Sequence, residues 1–133
     1  MQNTTNHIKR ELQLTADGSH TPFIPEVDEH SHSVNGAVQE SRHVFIEAGL
    51  HHLERREITI LEIGFGTGLN AFLTLLDAEA CQRKIHYCSI ELYPLGTDVI
   101  ESLNYGEMLC AGRKDVFHAL HQAEWNVAVQ VTD

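Results

Sequence analysis

Gly64, Gly66 and Gly68 stand between the apolar run Ile58-Thr59-Ile60-Leu61 and the helical pattern Leu69-Asn70-Ala71-Phe72-Leu73. Strand, glycine-rich turn and helix in that order form a loop suited to a nucleotide-type cofactor. Glycine admits positive φ and lets the backbone approach a ligand closely. The N–H groups that open a helix have no partner inside it, so they can face an anionic group. Glu62 opens the motif, and Phe65, Thr67 and Asn70 fill its other positions. A second acidic residue, Glu91, ends the strand candidate Ile85-His86-Tyr87-Cys88-Ser89-Ile90 and lies 23 residues beyond Gly68. Nucleotide-binding α/β folds place a carboxylate about 20 residues past the glycines, where it accepts hydrogen bonds from ribose hydroxyls. Glu91 is the expected ribose ligand, with Leu92 beside it. The plainer alternatives are a bare tight turn and a solvated strand-end carboxylate.

The glycine spacing narrows the cofactor. A dinucleotide fingerprint has G-x-G-x-x-G/A, with a small residue one turn into the helix. Here that place is taken by Leu69. The loop resembles instead the acidic-x-G-x-G-x-G turn after the first strand of methyltransferases that use S-adenosylmethionine (SAM). The polar end it would face is then the methionine carboxylate.

Around this loop the chain reads as α/β. Ile8 to Leu14 alternates partly, with Ile8, Leu12 and Leu14 on one side, and Asp17-Gly18 is a turn signal. Thr21 to Val27 returns as a strand, and Pro22 and Pro25 make it an expected edge. Ser33 is the expected N-cap of a helix whose buried face is Val34, Ala37, Val38, Ser41, Val44, Phe45 and Ala48, with Gly49 near its end. Glu40 and Arg42, near its middle, are candidate pocket residues, or simply a solvated helix face. Leu69, Phe72, Leu73 and Leu76 give the loop's helix an apolar stripe. Pro94 suits a helix start, with Leu95, Val99 and Leu103 on one face, and Val116, Phe117 and Leu120 mark a further short helix. Trp125 to Val131 alternates like a strand. The expected order is β-hairpin, helix, then β-α-β-α-α-β. The parallel portion indicates a sheet with helices on its faces. Residues 1–57 form the expected hairpin-and-helix extension, and 58–133 a partial Rossmann-like domain with a truncated parallel sheet.

The chain has 133 residues, 42% of them hydrophobic, enough for one globular unit. No apolar run reaches the roughly 20 residues of a membrane span. A formal net charge of −10 excludes a broad nucleic-acid surface, and the few Lys and Arg are scattered. Cys81, Cys88 and Cys110 form no C-x-x-C pair and read as reduced thiols of a cytoplasmic protein. Among ten histidines, His30 with His32, near Asp28 and Glu29, and His51 with His52 are the metal candidates. Neither pair has the i, i+4 spacing that aligns two ligands on a helix, so no metal site is expected.

Three stretches together resemble one family. They are Val34 to Leu50, with its G-x-x-x-E-S-R segment; Leu61 to Asn70, with its G-F-G-T-G-L-N loop; and Ser89 to Leu95. They are similar to bacterial methyltransferases of the tRNA wobble uridine, which occur fused to an FAD-dependent oxidase (bifunctional MnmC) or alone (MnmD). Leu14 to Thr21 resembles the stand-alone form, and the match covers roughly residues 9 to 131. The resemblance implies methyl transfer from SAM to the exocyclic amine of 5-aminomethyl-(2-thio)uridine, with tRNA as partner. It also implies a seven-stranded sheet and an acidic D-x-F-x-P motif after the fourth strand. This sequence contains no such motif, so no catalytic residue is assigned. The expectation is a chain inactive as a monomer, able to dimerise through an open sheet edge. The competing expectations are a SAM methyltransferase fragment for another substrate, a non-catalytic SAM-binding or interaction module, and an NAD-binding domain.

Overall fold

A computed structural model describes residues 9–133. Two small sheets and a set of short helices share one core. The first sheet is antiparallel and has the order β1-β2-β3, with β1 Glu11–Leu14, β2 His20–Ile24 and β3 Glu29–His30. The second is the parallel pair β4 (Glu57–Ile63) and β5 (Lys84–Ile90), in register from Glu57 opposite Lys84 to Ile63 opposite Ile90. Between them in sequence run α1 (Ala37–Ser41), a π-helical turn (Arg42–Glu47) and a 3-10 turn (Leu50–His52). α2 (Leu69–Cys81) joins β4 to β5, and α3 (Thr97–Ser102), α4 (Tyr105–Cys110) and α5 (Lys114–Gln122) follow. This is part of a Rossmann-like α/β fold, as expected.

The core lies between one face of β4–β5 and the helices. Leu69, Phe72 and Leu73 of α2 meet Ile58 of β4, Ala37 and Val38 of α1, Ile46 and Leu50 of the following turns, and Leu103, Tyr105 and Phe117. Ile60 and Ile85 pack against this cluster from the same sheet face. The cluster therefore draws on residues from both sides of residue 57. The opposite face is bare: Leu61, Ile63 and Ile90 are 64%, 75% and 56% exposed. Among the described residues, the outer edge of β4 also has no strand beside it.

Several local expectations are corrected. β2 is the central strand of its sheet, not an edge. Pro22 is tolerated there because the two-residue β3 ends before reaching it. Its carbonyl accepts from Ser31 N–H at 3.0 Å, so its nitrogen, which has no hydrogen to give, lies on the β3 side at the very end of that pairing. Leu14 does not join Leu12 in packing but points to solvent, and Ile8 lies outside the described residues. The return strand ends at Ile24, because Pro25 begins a turn that leaves Val27 exposed.

The helix expected from Ser33 starts later, with Gly36 as its N-cap. Ser33 instead accepts Asn35 N–H through its hydroxyl and gives its own N–H to Glu40. Ala37, Val38 and Ser41 are buried as expected, whereas Val34, Val44 and Phe45 are half-exposed. The π turn explains the change of face. Ala48 N–H reaches back five residues to the His43 carbonyl, so the inward position after Ser41 falls on Ile46 rather than Phe45.

Residues 125–131 form no strand; Trp125 to Gln130 are exposed in turn and coil. Alternation alone does not order a strand that lacks a ladder of backbone partners. The helix expected from Pro94 begins at Thr97, and α4 was not foreseen.

Candidate functional site

The turn after β4 is built by its glycines. Gly64, Gly66 and Gly68 have φ of 88°, 54° and 72°, a region that side-chain-bearing residues seldom occupy. A Cβ on Gly64 or Gly66 would meet nothing within 4 Å, so both face open space. Gly64 N–H donates to the Ile90 carbonyl at 2.7 Å and carries the ladder one step past the strands. Phe72 N–H donates to the Gly68 carbonyl at 2.9 Å as α2 begins.

Glu91 stands at the head of β5 and reaches the same turn. One carboxylate oxygen accepts Gly66 N–H at 2.8 Å, and the other accepts Tyr93 N–H at 2.8 Å. The two acidic residues picked out by spacing thus flank the loop from adjacent parallel strands. Glu62 accepts the Ser89 hydroxyl at 2.9 Å, bracing the strand ends. Burial, with the Glu62 carboxylate beside it, pushes the Tyr87 phenol up. Asn70, in the first turn of α2, has a buried side-chain oxygen without a hydrogen-bond partner. Together with Glu62 and Gly64 it lines a groove of about 430 Å³ that runs along the free side of β4 to Phe45 and Leu53.

Phe65 and Thr67 anchor the loop from below. Phe65 packs edge-on against His121 and Trp125, with centroids at 5.3 and 6.4 Å. Thr67 is buried between two histidines. His121 Nε2 donates to the Thr67 carbonyl at 2.9 Å, and His32 Nε2 lies 3.2 Å from its hydroxyl. Burial lowers the pKa of both imidazoles below the ordinary value, against smaller opposing effects from Glu40 on His32 and from the Thr67 carbonyl on His121. An aromatic series Phe72–Phe117–His121–Phe65 ties the loop to the core.

In the sequence His32 stands out only as a metal candidate beside His30, and the structure sets it against Thr67 instead; His121 does not stand out at all. His32 lies 35 residues before Thr67 and His121 54 after it, so no local spacing reveals the pair.

Glu40 and Arg42 do not join the loop. Glu40 holds Ser33 N–H at 2.6 Å and touches the site only through the field it exerts on His32. Arg42 lines a separate cavity of about 480 Å³ with Asp17, Gln39, His43, Glu47 and Met108. Leu92 is exposed to solvent beyond Glu91.

Comparison with known proteins gives the family. No protein-family model matches the chain. It is 36% identical, over 70% of its length, to the tRNA 5-methylaminomethyl-2-thiouridine biosynthesis bifunctional protein MnmC of Magnetococcus marinus. Over 87% of its length it is 32% identical to the protein of the same name from Cupriavidus necator. The crystal structure of MnmC2 from Aquifex aeolicus matches 68% of the chain with a TM-score of 0.60 and 32% identity. The chain belongs to the MnmD/MnmC family. It spans 14% and 18% of the two curated relatives' length, and 32% of the solved chain. Among the described residues, no helix is long and apolar enough to cross a membrane.

Proposed function

We propose that the Glu62–Gly68 loop, with Asn70, Glu91 and Leu92, holds S-adenosylmethionine, and that the chain is the cofactor-binding part of a tRNA wobble-uridine methyltransferase. The observation that carries this is the convergence of three positive-φ glycines and the Glu91 carboxylate on one open turn. The open space at Gly64 and Gly66 leaves room for a ligand against the backbone. The donors at the start of α2 suit a methionine carboxylate. Glu91 suits the ribose hydroxyls, once it releases Gly66 N–H. The unpartnered oxygen of Asn70 suits a donor such as the methionine ammonium. SAM supplies an electrophilic methyl group when bound. The acceptor proposed from the family is the neutral amine of 5-aminomethyl-(2-thio)uridine in tRNA, which must be held in line with that methyl.

Titration calorimetry with SAM, S-adenosylhomocysteine and NAD tests the cofactor. SAM and S-adenosylhomocysteine are expected to bind, and NAD is not; a preference for NAD overturns the reading. Gly66→Val forces a β-branched residue to φ 54°. It is expected to weaken SAM binding at least tenfold, and unchanged binding would remove the loop assignment. Methyl transfer to undermodified tRNA tests the substrate separately.

A further inference from the structure

Far along α2 from the glycine loop, three donors of different chemistry converge. Asp77 and Cys81 stand one turn apart on the same helix face, and His51 comes from the 3-10 turn packed beside them. His51 Nε2 lies 2.6 Å from Asp77 Oδ1, and Cys81 Sγ lies 3.9 Å from the same oxygen. The imidazole, carboxylate and thiol donor atoms all fall within 4.8 Å of one another. We infer that His51, Asp77 and Cys81 form a binding site for a borderline transition-metal ion of the zinc(II) class.

Two observations take this beyond a surface ion pair. The first is the distribution of partners on Asp77: Oδ1 takes both neighbours, while Oδ2 is buried and takes none. A cation held by both carboxylate oxygens would give Oδ2 the partner it lacks. The second is geometry. A tetrahedral zinc ion with bonds of about 2.0–2.3 Å separates its donors by roughly 3.3–3.7 Å. The separations at Oδ1, 2.6 and 3.9 Å, fall on either side of that range, so ligation requires the exposed His51 ring to draw back and the Cys81 thiol to close in. The elements are held in place, because Arg83 Nη1 donates to the Leu50 carbonyl at 3.0 Å and fixes the 3-10 turn against the end of α2. Cys81 is the last residue of α2, where the helix dipole favours positive charge. Imidazole with thiolate selects zinc-class ions over magnesium or calcium. Three protein ligands leave a fourth position for water.

Binding moves protons in a defined way. Ligation requires His51 Nε2 and Cys81 Sγ without their protons. The Nε2 proton moves to Nδ1 if the ring is neutral or to solvent if it is charged, and the thiol proton leaves to solvent, so binding releases one proton or two per ion.

The test is titration of the whole chain with cobalt(II), a spectroscopic stand-in for zinc. The expected result is one equivalent bound, with sulfur-to-cobalt charge-transfer absorption that zinc(II) abolishes by displacement. Cys81→Ser removes that absorption, whereas Cys88→Ser and Cys110→Ser keep it. His51→Ala weakens binding at least tenfold. His51 and Cys81 are exposed, and circular dichroism checks that these variants remain folded. Absence of the absorption in the parent chain, its persistence in Cys81→Ser, or unchanged affinity in His51→Ala overturns the site. Cobalt held through His30 and His32 alone would also overturn it.

Discussion

The two faces of the β4–β5 sheet differ sharply. On one, Ile58, Ile60 and Ile85 lie under α2 and the neighbouring helices, and Phe72 is wholly buried. On the other, Leu61, Ile63 and Ile90 stand in solvent. At the loop end the bare face is as apolar as the covered one, whereas its far end carries Glu57 paired with Lys84 and His86. What distinguishes the apolar parts is whether a helix lies across the strands. Parallel strands are ordinarily buried on both faces, and their sequences read as continuous apolar runs. β4 has that kind of sequence, but only half of the burial.

The sharpest way to break the comparison is to hollow out the covered face. Phe72→Ala is expected to destabilise the chain by about 3–5 kcal/mol, measured by urea unfolding. A loss below ~1 kcal/mol would mean that the covered face is not the core.

Acid gives a smaller and graded test. The folded chain lowers the pKa of His32 and His121 below the ordinary 6.5 through burial. The unfolded chain therefore takes up protons first. Their contribution is intact above about 6.5 and declines as the pH falls below it. Asp17 acts lower. Burial raises its pKa, but donors from Ser19, Gln39 and Thr15 outweigh that and bring it to about 2, from 3.8. Its contribution is complete above about 3.8 and is lost as the pH falls toward 2. Thermal melting against pH should show both declines, and His121→Gln should flatten only the upper one.

The smallest effect on stability is expected on the bare face. Ile63→Lys should change unfolding by no more than about 0.5 kcal/mol. Pairing of two copies along the open edge of β4 remains a proposal. If it occurs, Ile63→Lys should reduce it in sedimentation, because charge on an exposed strand edge opposes edge-to-edge pairing. A clean monomer in the parent chain would remove that proposal.

What was legible in the sequence was local. β4, the glycine turn, α2 and β5 declare themselves through contiguous runs and a fixed glycine spacing. Glu91 is readable because strand and helix lengths hold its distance from the loop nearly constant. The meeting of His32 and His121 at Thr67 was not readable, because it spans 35 and 54 residues. The grouping of His51 with Asp77 and Cys81 escaped for the same reason: the sequence drew attention to His51 but paired it with its neighbour His52 rather than with residues 26 and 30 positions later. Trp125 to Val131 shows the opposite failure: the local pattern suits a strand, but no ladder forms. The face of the first helix was misread beyond Ser41, because a period of 3.6 was carried through a turn that does not keep it.

That turn also bears on how the chain length can vary. A π-helical turn is an α-helix holding one residue more than its geometry needs. Removing one residue between Arg42 and Phe45 would let the segment close as ordinary α-helix while Ile46 kept its inward position. Removing one from β4 would instead turn every later side chain of that strand to the other face. Among the helices and strands of the described residues, Arg42 to Phe45 is therefore where a single-codon deletion should be borne most easily.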